Sequence, residues 1–216
     1  MVQLKNSDFV KVDFDIYANG KLVQTTSEEK GKKAGLQIKH YGAETLILGK
    51  AFVLKALDEA ILKKDKDSLE LTADKAYGKR QKELIKTFTK SAFDEQNMRA
   101  VPGMTYDFNG MYGTVRSVVG GRVMVDFNNP LAGKDIKLDY NVVSKVDKIE
   151  EQVKVVFEAI LRIPNNLYAV SAKEKNLTIK VPAQLIAMKD QLTKSLEELI
   201  PQIKDYKVKL EVMENK

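Results

Sequence analysis

The sequence has no cysteine and a single histidine, His40. Without cysteine there is no disulfide framework and no thiol chemistry. One histidine argues against a Ser-His-Asp or Cys-His nucleophile and excludes His-rich metal sites. Aspartate and glutamate are plentiful, but none fall at a tight metal-ligand spacing, so no metal or other cofactor is expected. There is no run of about 18 apolar residues, and hence no expected membrane span. The first residues, Met1 to Asp8, lack the apolar run of a signal peptide. Both absences make the cytoplasm the expected compartment. Internal repeats and low-complexity tracts are also missing.

What is present is ordinary globular material. The chain has 216 residues, 44% hydrophobic and 31% charged, enough for a real core and for two or three structural units. The net charge is +6. The excess is diffuse and densest over residues 79–130, where 8 basic side chains face 5 acidic ones. It reads as a solvated mixed-charge surface rather than a nucleic-acid site.

Along the chain, Val10, Val12, Phe14 and Ile16 alternate with Lys11, Asp13 and Asp15, the period of a half-buried strand. Asn19-Gly20 marks a tight turn into a returning strand at Leu22-Val23. Ser27 to Gly35 is charged and Gly-flanked, which predicts a loop. Val53, Leu54, Leu57, Ala60 and Ile61 fall at helical spacing, with Lys55, Asp58 and Glu59 on the other face. Leu69 and Leu71 predict another strand, and Ala76-Tyr77-Gly78 a loop. Residues 79–130 change character: short β-rich runs are separated by Asn109-Gly110 and Gly120-Gly121. Ile136, Leu138, Tyr140 and Val142 then alternate. A strand there could return to the first sheet and make 79–130 an insertion. Beyond Glu150 the pattern predicts a helix ending before Pro164 and strands at Tyr168–Ser171 and Leu177–Val181. A helix from Pro182 through Leu199 and a last strand at Val208–Val212 complete it.

Four blocks then resemble a known family. Gly20-Lys21-Leu22-Val23-Gln24-Thr25-Thr26 is similar to the start of an FKBP-type peptidyl-prolyl isomerase domain. Gly49 to Ile61 is similar to its central helix, and Ala73-Asp74-Lys75-Ala76-Tyr77-Gly78 to its Ala-Tyr-Gly loop. Val123 to Lys134 is similar to the end of the insert-in-flap domain of the SlyD-like branch. Their order and spacing agree over residues 1–150, and together they are specific. The C-terminal extension resembles that of archaeal long-type members.

The resemblance implies an α+β fold: an FKBP-like twisted antiparallel sheet over one short helix, with an inserted β-rich flap and a small C-terminal α/β domain. The implied division is 1–78 plus 131–149 for the isomerase domain, 79–130 for a chaperone-like flap and 150–216 for the C-terminal domain. It also implies cis-trans isomerisation of X-Pro bonds in unfolded or proline-containing polypeptides, with neither cofactor nor metal. Carried over residue by residue, the catalytic pocket is Tyr77, Phe14, Val53, Leu54 and Leu57. Val23, Gln24 and Leu138 bind substrate, and flap residues Met98, Met104 and Met111 add flexible apolar contacts. From periodicity alone, Val53, Leu54 and Leu57 are helix-to-sheet core; the motif order is what makes them pocket walls. The sequence departs from the pattern at four places. Phe14 stands where tyrosine is usual, Leu57 where tryptophan is frequent, Leu138 where an aromatic is usual, and Gln24 where aspartate is usual. Those departures keep open a binding-only chaperone with a degraded pocket. The basic bias of 79–130 keeps open a ribosome- or RNA-associated module.

Overall fold

The structure is a computed structural model describing residues 3–38 and 40–213. By compactness the chain forms two units. The first comprises residues 1–16, 22–68 and 138–216 as far as they are described; the second comprises 17–21 and 69–137.

Strand β1 (Phe9–Ala18) follows the expected alternation, with Val10, Val12, Phe14 and Ile16 buried. Asn19 and Gly20, with φ of 48° and 78°, form the tight turn into β2 (Lys21–Thr25). Both central residues of such a hairpin turn need positive φ, which is why Asn-Gly marks it.

Residues 27–35 hold a helix where a loop was predicted: α1 spans Glu28–Lys33. Ser27 caps it, accepting from Lys30 N at 3.4 Å, and Glu28 pairs with Lys32 at 2.6 Å. Acid in the first turn and base in the last suit the helix dipole. Gly31 reads as a helix breaker in sequence, but a Cβ there would lie 2.5 Å from Cε1 of Tyr41. The glycine admits the ring.

Strand β3 (Glu44–Ile47) pairs antiparallel with β1, Phe9 opposite Ile47. Helix α2 (Lys55–Ile61) buries Leu57 and Ile61. After β4 (Lys66–Leu71), the chain leaves the first sheet. It returns as β9, after β5 (Ile85–Thr89), α3 (Lys90–Glu95), β6 (Thr105–Phe108), β7 (Met111–Val119) and β8 (Arg122–Asp126) have been laid down. Strand β9 (Ile136–Lys145) inserts between β1 and β4, giving the order β2-β1-β9-β4 with β3 also on β1. The segment between β4 and β9 is therefore an insertion in that sheet.

In the second unit, β5-β8-β7-β6 is antiparallel throughout, with a bulge between Val115 and Ser117. Its core is Phe93, Val115, Val123 and Val125, with Phe88, Met98, Phe108 and Phe127 packed against it. The rings carry much of the contact: Phe88 stacks on Phe108 at 5.5 Å and Phe108 meets Phe127 edge-on at 5.2 Å.

Beyond β9, α4 (Ile149–Val155) runs into a wider turn over Val156–Ile160, where Leu161 N reaches back five residues to Val156 O. Strands β10 (Ala169–Lys173) and β11 (Asn176–Val181) follow, then α5 (Ala183–Ile186), α6 (Lys189–Leu199) and β12 (Lys207–Val212). The single helix expected over 182–199 is broken at Ala187–Met188. There Met188 N bonds Leu185 O, a three-residue reach that tightens the turn and ends α5. β11 pairs antiparallel with β10 and parallel with β12. Phe9 and Ile47 of the first sheet share one core cluster with Val153, Phe157, Leu177, Ile179 and Leu196. The molecule is thus mixed α+β, with mostly antiparallel sheets and few, short helices.

Candidate active site

In the first unit, α2 begins where the chain leaves the turn after β3. Ile47 O accepts from Lys50 N, and Gly49 and Ala51 both take positive φ, 85° and 52°. For alanine that conformation is strained by about 1–2 kcal/mol. A carboxylate holds it: Asp58 Oδ2 accepts from Gly49 N and Ala51 N, each at 2.8 Å. Periodicity put Asp58 on the polar face of α2, yet it is only 3% exposed. The turn folds back over the helix and supplies donors that no sequence pattern announces. Burial pushes the Asp58 carboxyl above its ordinary value, partly offset by those N–H groups. Its Oδ1 is buried and finds no partner among the described residues.

This turn delivers Phe52, Val53 and Leu54. Phe52 is exposed, Val53 half-buried and Leu54 buried in an extended conformation as the residue before the helix. Leu57 is fully buried. Phe14 on β1 and Leu138 on the neighbouring β9 are buried as well. Val23 and Gln24 on β2 are half-buried. The residues expected to make a pocket therefore split into a buried set, Phe14, Leu54, Leu57 and Leu138, and an accessible set, Val23, Gln24 and Val53.

A cavity of about 560 Å³ opens elsewhere in this unit, among Asp13, Asp15, Lys30, Lys66, Asp139 and Asn141. Of the expected residues it includes only Phe14. Half of its lining residues are charged and most of the rest polar, and several of those charges are already spoken for. Asp15 accepts from Thr25 Oγ1 at 2.5 Å and pairs with Lys30, and Asp13 accepts from Thr26 Oγ1 at 3.0 Å. Such a lining does not suit a proline ring, and the apolar residues around α2 are the better candidates.

Tyr77 stands in the second unit, in a loop built on a single turn at Ala73–Lys75. Gly78 N closes the loop on Ala73 O at 2.7 Å, and Ala73 N bonds Asp135 Oδ1 at 3.0 Å. Tyr77 is half-buried, and burial raises its phenol pKa. The hydroxyl thus stays protonated near neutrality and able to donate.

The three flap methionines fare differently. Met98 packs against the flap core, whereas Met104 and Met111 are 47% and 57% exposed. Sequence reasoning missed two larger apolar exposures in the same sheet, Tyr112 at 68% and Val119 at 73%. Both sit in β7, whose opposite face supplies the core. Strand alternation could have flagged Tyr112, which falls out of phase with the buried positions Gly113 and Val115.

Comparison with known proteins bears on what these residues are for. The family model for the FKBP26 IF domain matches residues 90–131. A short-type peptidyl-prolyl cis-trans isomerase of Methanocaldococcus jannaschii is 27% identical over 144 residues, 64% of this chain and 92% of that protein. An FKBP-type 16 kDa peptidyl-prolyl cis-trans isomerase of Escherichia coli is 32% identical over 102 residues, 44% of this chain and 68% of that protein. The FKBP-type isomerase SlyD of Helicobacter pylori is 26% identical over 114 residues, 50% of this chain and 61% of that protein. With an IF-domain match lying inside the insertion and a relative 32% identical over 68% of its own length, the chain belongs to the FKBP-type peptidyl-prolyl cis-trans isomerases.

Proposed function

We propose that the residues at the start of α2 form the wall on which the X-Pro segment turns, and that the flap holds the rest of an unfolded chain. Rotation about an amide costs ~18–20 kcal/mol because resonance is lost. At X-Pro bonds the two planar states are nearly isoenergetic, but exchange takes tens to hundreds of seconds. No bond is made and no proton needs to move. The enzyme has only to bind the twisted amide more tightly than the planar one. An apolar wall removes the water that favours the more polar planar form, and a positioned donor holds the substrate carbonyl.

In this reading Val53, Gln24 and Val23 contact substrate. Phe14, Leu54, Leu57 and Leu138 are the buried floor that keeps those contacts in place. Tyr77 donates its hydroxyl to a substrate carbonyl. The observation that carries it is the run of apolar residues leading into the first turn of α2, Phe52, Val53, Leu54 and Leu57, with the carboxylate there turned inward onto the backbone. A peptide with an apolar residue before proline, followed by NMR exchange spectroscopy, tests it. Exchange should quicken at sub-stoichiometric enzyme, and no enhancement at stoichiometric enzyme would refute it.

For the flap, 79–130 in the functional division, the supporting observation is its exposed apolar side chains: Met104, Met111, Tyr112, Val119 and Met124. Large exposed apolar groups carried on or beside one small sheet suit an interaction surface. Methionine and tyrosine adapt to varied chains. The partners are unfolded or proline-containing polypeptides, and the cytoplasm is the matching compartment. Among the described residues no helix is long and apolar enough to cross a membrane.

A further inference from the structure

The stretch Asp126 to Gly133 resembles a family block, yet nothing above gives it work to do. It is the segment by which the chain leaves the flap, and it is bonded at several points to the segment by which the chain enters. Asn128 is 8% exposed. Its Oδ1 accepts from Gln81 N at 2.8 Å and its Nδ2 donates to Gln81 O at 2.9 Å. One side-chain amide thus makes the two-bond exchange that a strand neighbour makes in an antiparallel pair. Asp126 holds Asn128 in turn, accepting from its backbone N at 2.9 Å and from Nδ2 at 2.8 Å. The other oxygen of Asp126 pairs with Arg80, and Arg116 Nε lies 3.4 Å from it. Further along, Gly133 N bonds Gly78 O at 2.7 Å. Gly133 has φ +75°, and a Cβ there would come within 3.2 Å of Arg80 Cγ.

Gly78, Arg80 and Gln81, the residues pinned by this clamp, directly follow Tyr77. Between Gly78 and the start of β5 no strand ladder supports the chain; one short turn at Lys82–Leu84 is its only regular structure. Its position is set by side chains and by two backbone bonds from the departing segment, Gly133 N to Gly78 O at its start and Phe127 N to Leu84 O at 2.9 Å at its end.

We propose that Asn128, seated by Asp126, is a positioning residue for the isomerase reaction: it fixes the backbone after Tyr77 and so aims the Tyr77 hydroxyl. This rests on the reading of Tyr77 as the donor to the substrate carbonyl. Asn128 itself touches no substrate. Because it acts through Tyr77, its removal costs nothing once the hydroxyl is gone.

The test is a double-mutant cycle in the full-length protein, with kcat and KM measured on a short peptide carrying leucine before proline. Tyr77→Phe should lower kcat/KM roughly three- to tenfold, the worth of one hydrogen bond. Asn128→Ala should lose as much, in kcat rather than KM. The double variant should be no slower than Tyr77→Phe alone. Additive losses, or an Asn128→Ala enzyme as fast as the parent, would overturn the proposal while leaving the role of Tyr77 intact. A Tyr77→Phe enzyme as fast as the parent would instead sink that role, and the proposal with it. Should Asn128→Ala lose the flap signals in the NMR spectrum, the near-isosteric Asn128→Leu, which fills the space but makes neither bond to Gln81, carries the same cycle. Loss of fold in both variants would make the clamp a folding element and also overturn the proposal.

Discussion

Replacing Asp58 by alanine removes the acceptor of two backbone donors at once. Gly49 N and Ala51 N, both 2.8 Å from Oδ2, are left facing a small buried void. An unsatisfied buried donor costs about 1–3 kcal/mol, so two cost about 2–6. Part of this is recovered, because the turn can relax and release Ala51 from φ +52°, a conformation worth about 1–2 kcal/mol of strain. The net expectation is a loss of about 2–4 kcal/mol, read as a lowered urea midpoint at unchanged slope. Asp58→Asn keeps one acceptor oxygen in the same place and should stay within about 1 kcal/mol of the parent at neutral pH.

The pair also separates the hydrogen bonds from the charge. Burial raises the Asp58 carboxyl above its reference value of 3.8 in the folded state. Between the unfolded and folded values the native state therefore holds more protons than the unfolded one, and stability falls as pH rises through that window. The stabilising contribution is fully present below the unfolded pKa and is lost as pH passes the folded one. Relative to Asp58→Asn, the parent should thus be most stable at acidic pH and lose ground as the carboxyl ionises. Equal midpoints for parent and Asp58→Ala would show that the carboxylate does not hold the turn, and a parent-minus-Asn difference that does not change with pH would show that burial does not raise its pKa.

Three further outcomes are expected. Gly31→Ala, ordinarily stabilising in a helix, should destabilise by about 1–3 kcal/mol because of the Tyr41 ring, and in a Tyr41→Ala background it should become stabilising; thermal melts decide the sign. Gln24→Asp, at a half-buried position on β2, should raise affinity for macrocyclic FKBP inhibitors by calorimetry, whereas Leu57→Trp, at a fully buried one, should cost about 1–3 kcal/mol of stability through overpacking; an unchanged Gln24→Asp affinity would remove Gln24 from the pocket. Met111→Ser with Tyr112→Ser should slow acceleration of protein refolding far more than acceleration on a tetrapeptide; equal loss on both would refute a binding role for that end of β7.

Strand β1, the Asn19-Gly20 turn, helix α2 and the returning strand β9 were all legible in the sequence, because period and turn chemistry are local properties. The same holds for what composition excluded: with one histidine and no cysteine, a reaction that needs neither was favoured before any coordinate. Helix α1 was missed because Gly31 reads as a breaker until Tyr41, ten residues on, is seen to occupy the space a Cβ would take. Asp58 was placed on a solvent face because its acceptors' partners come from a turn that folds back over the helix. Nothing near Phe9 or Ile47 announces that they join a core with residues beyond 150, nor does Asn128 announce Gln81, 47 residues away in sequence. Pattern along the chain determined which segments were strand or helix and which chemistry was permitted. Burial of charge, close approach to glycine and pairing of distant backbone depend on which segments meet in space, and only the tertiary structure decided those.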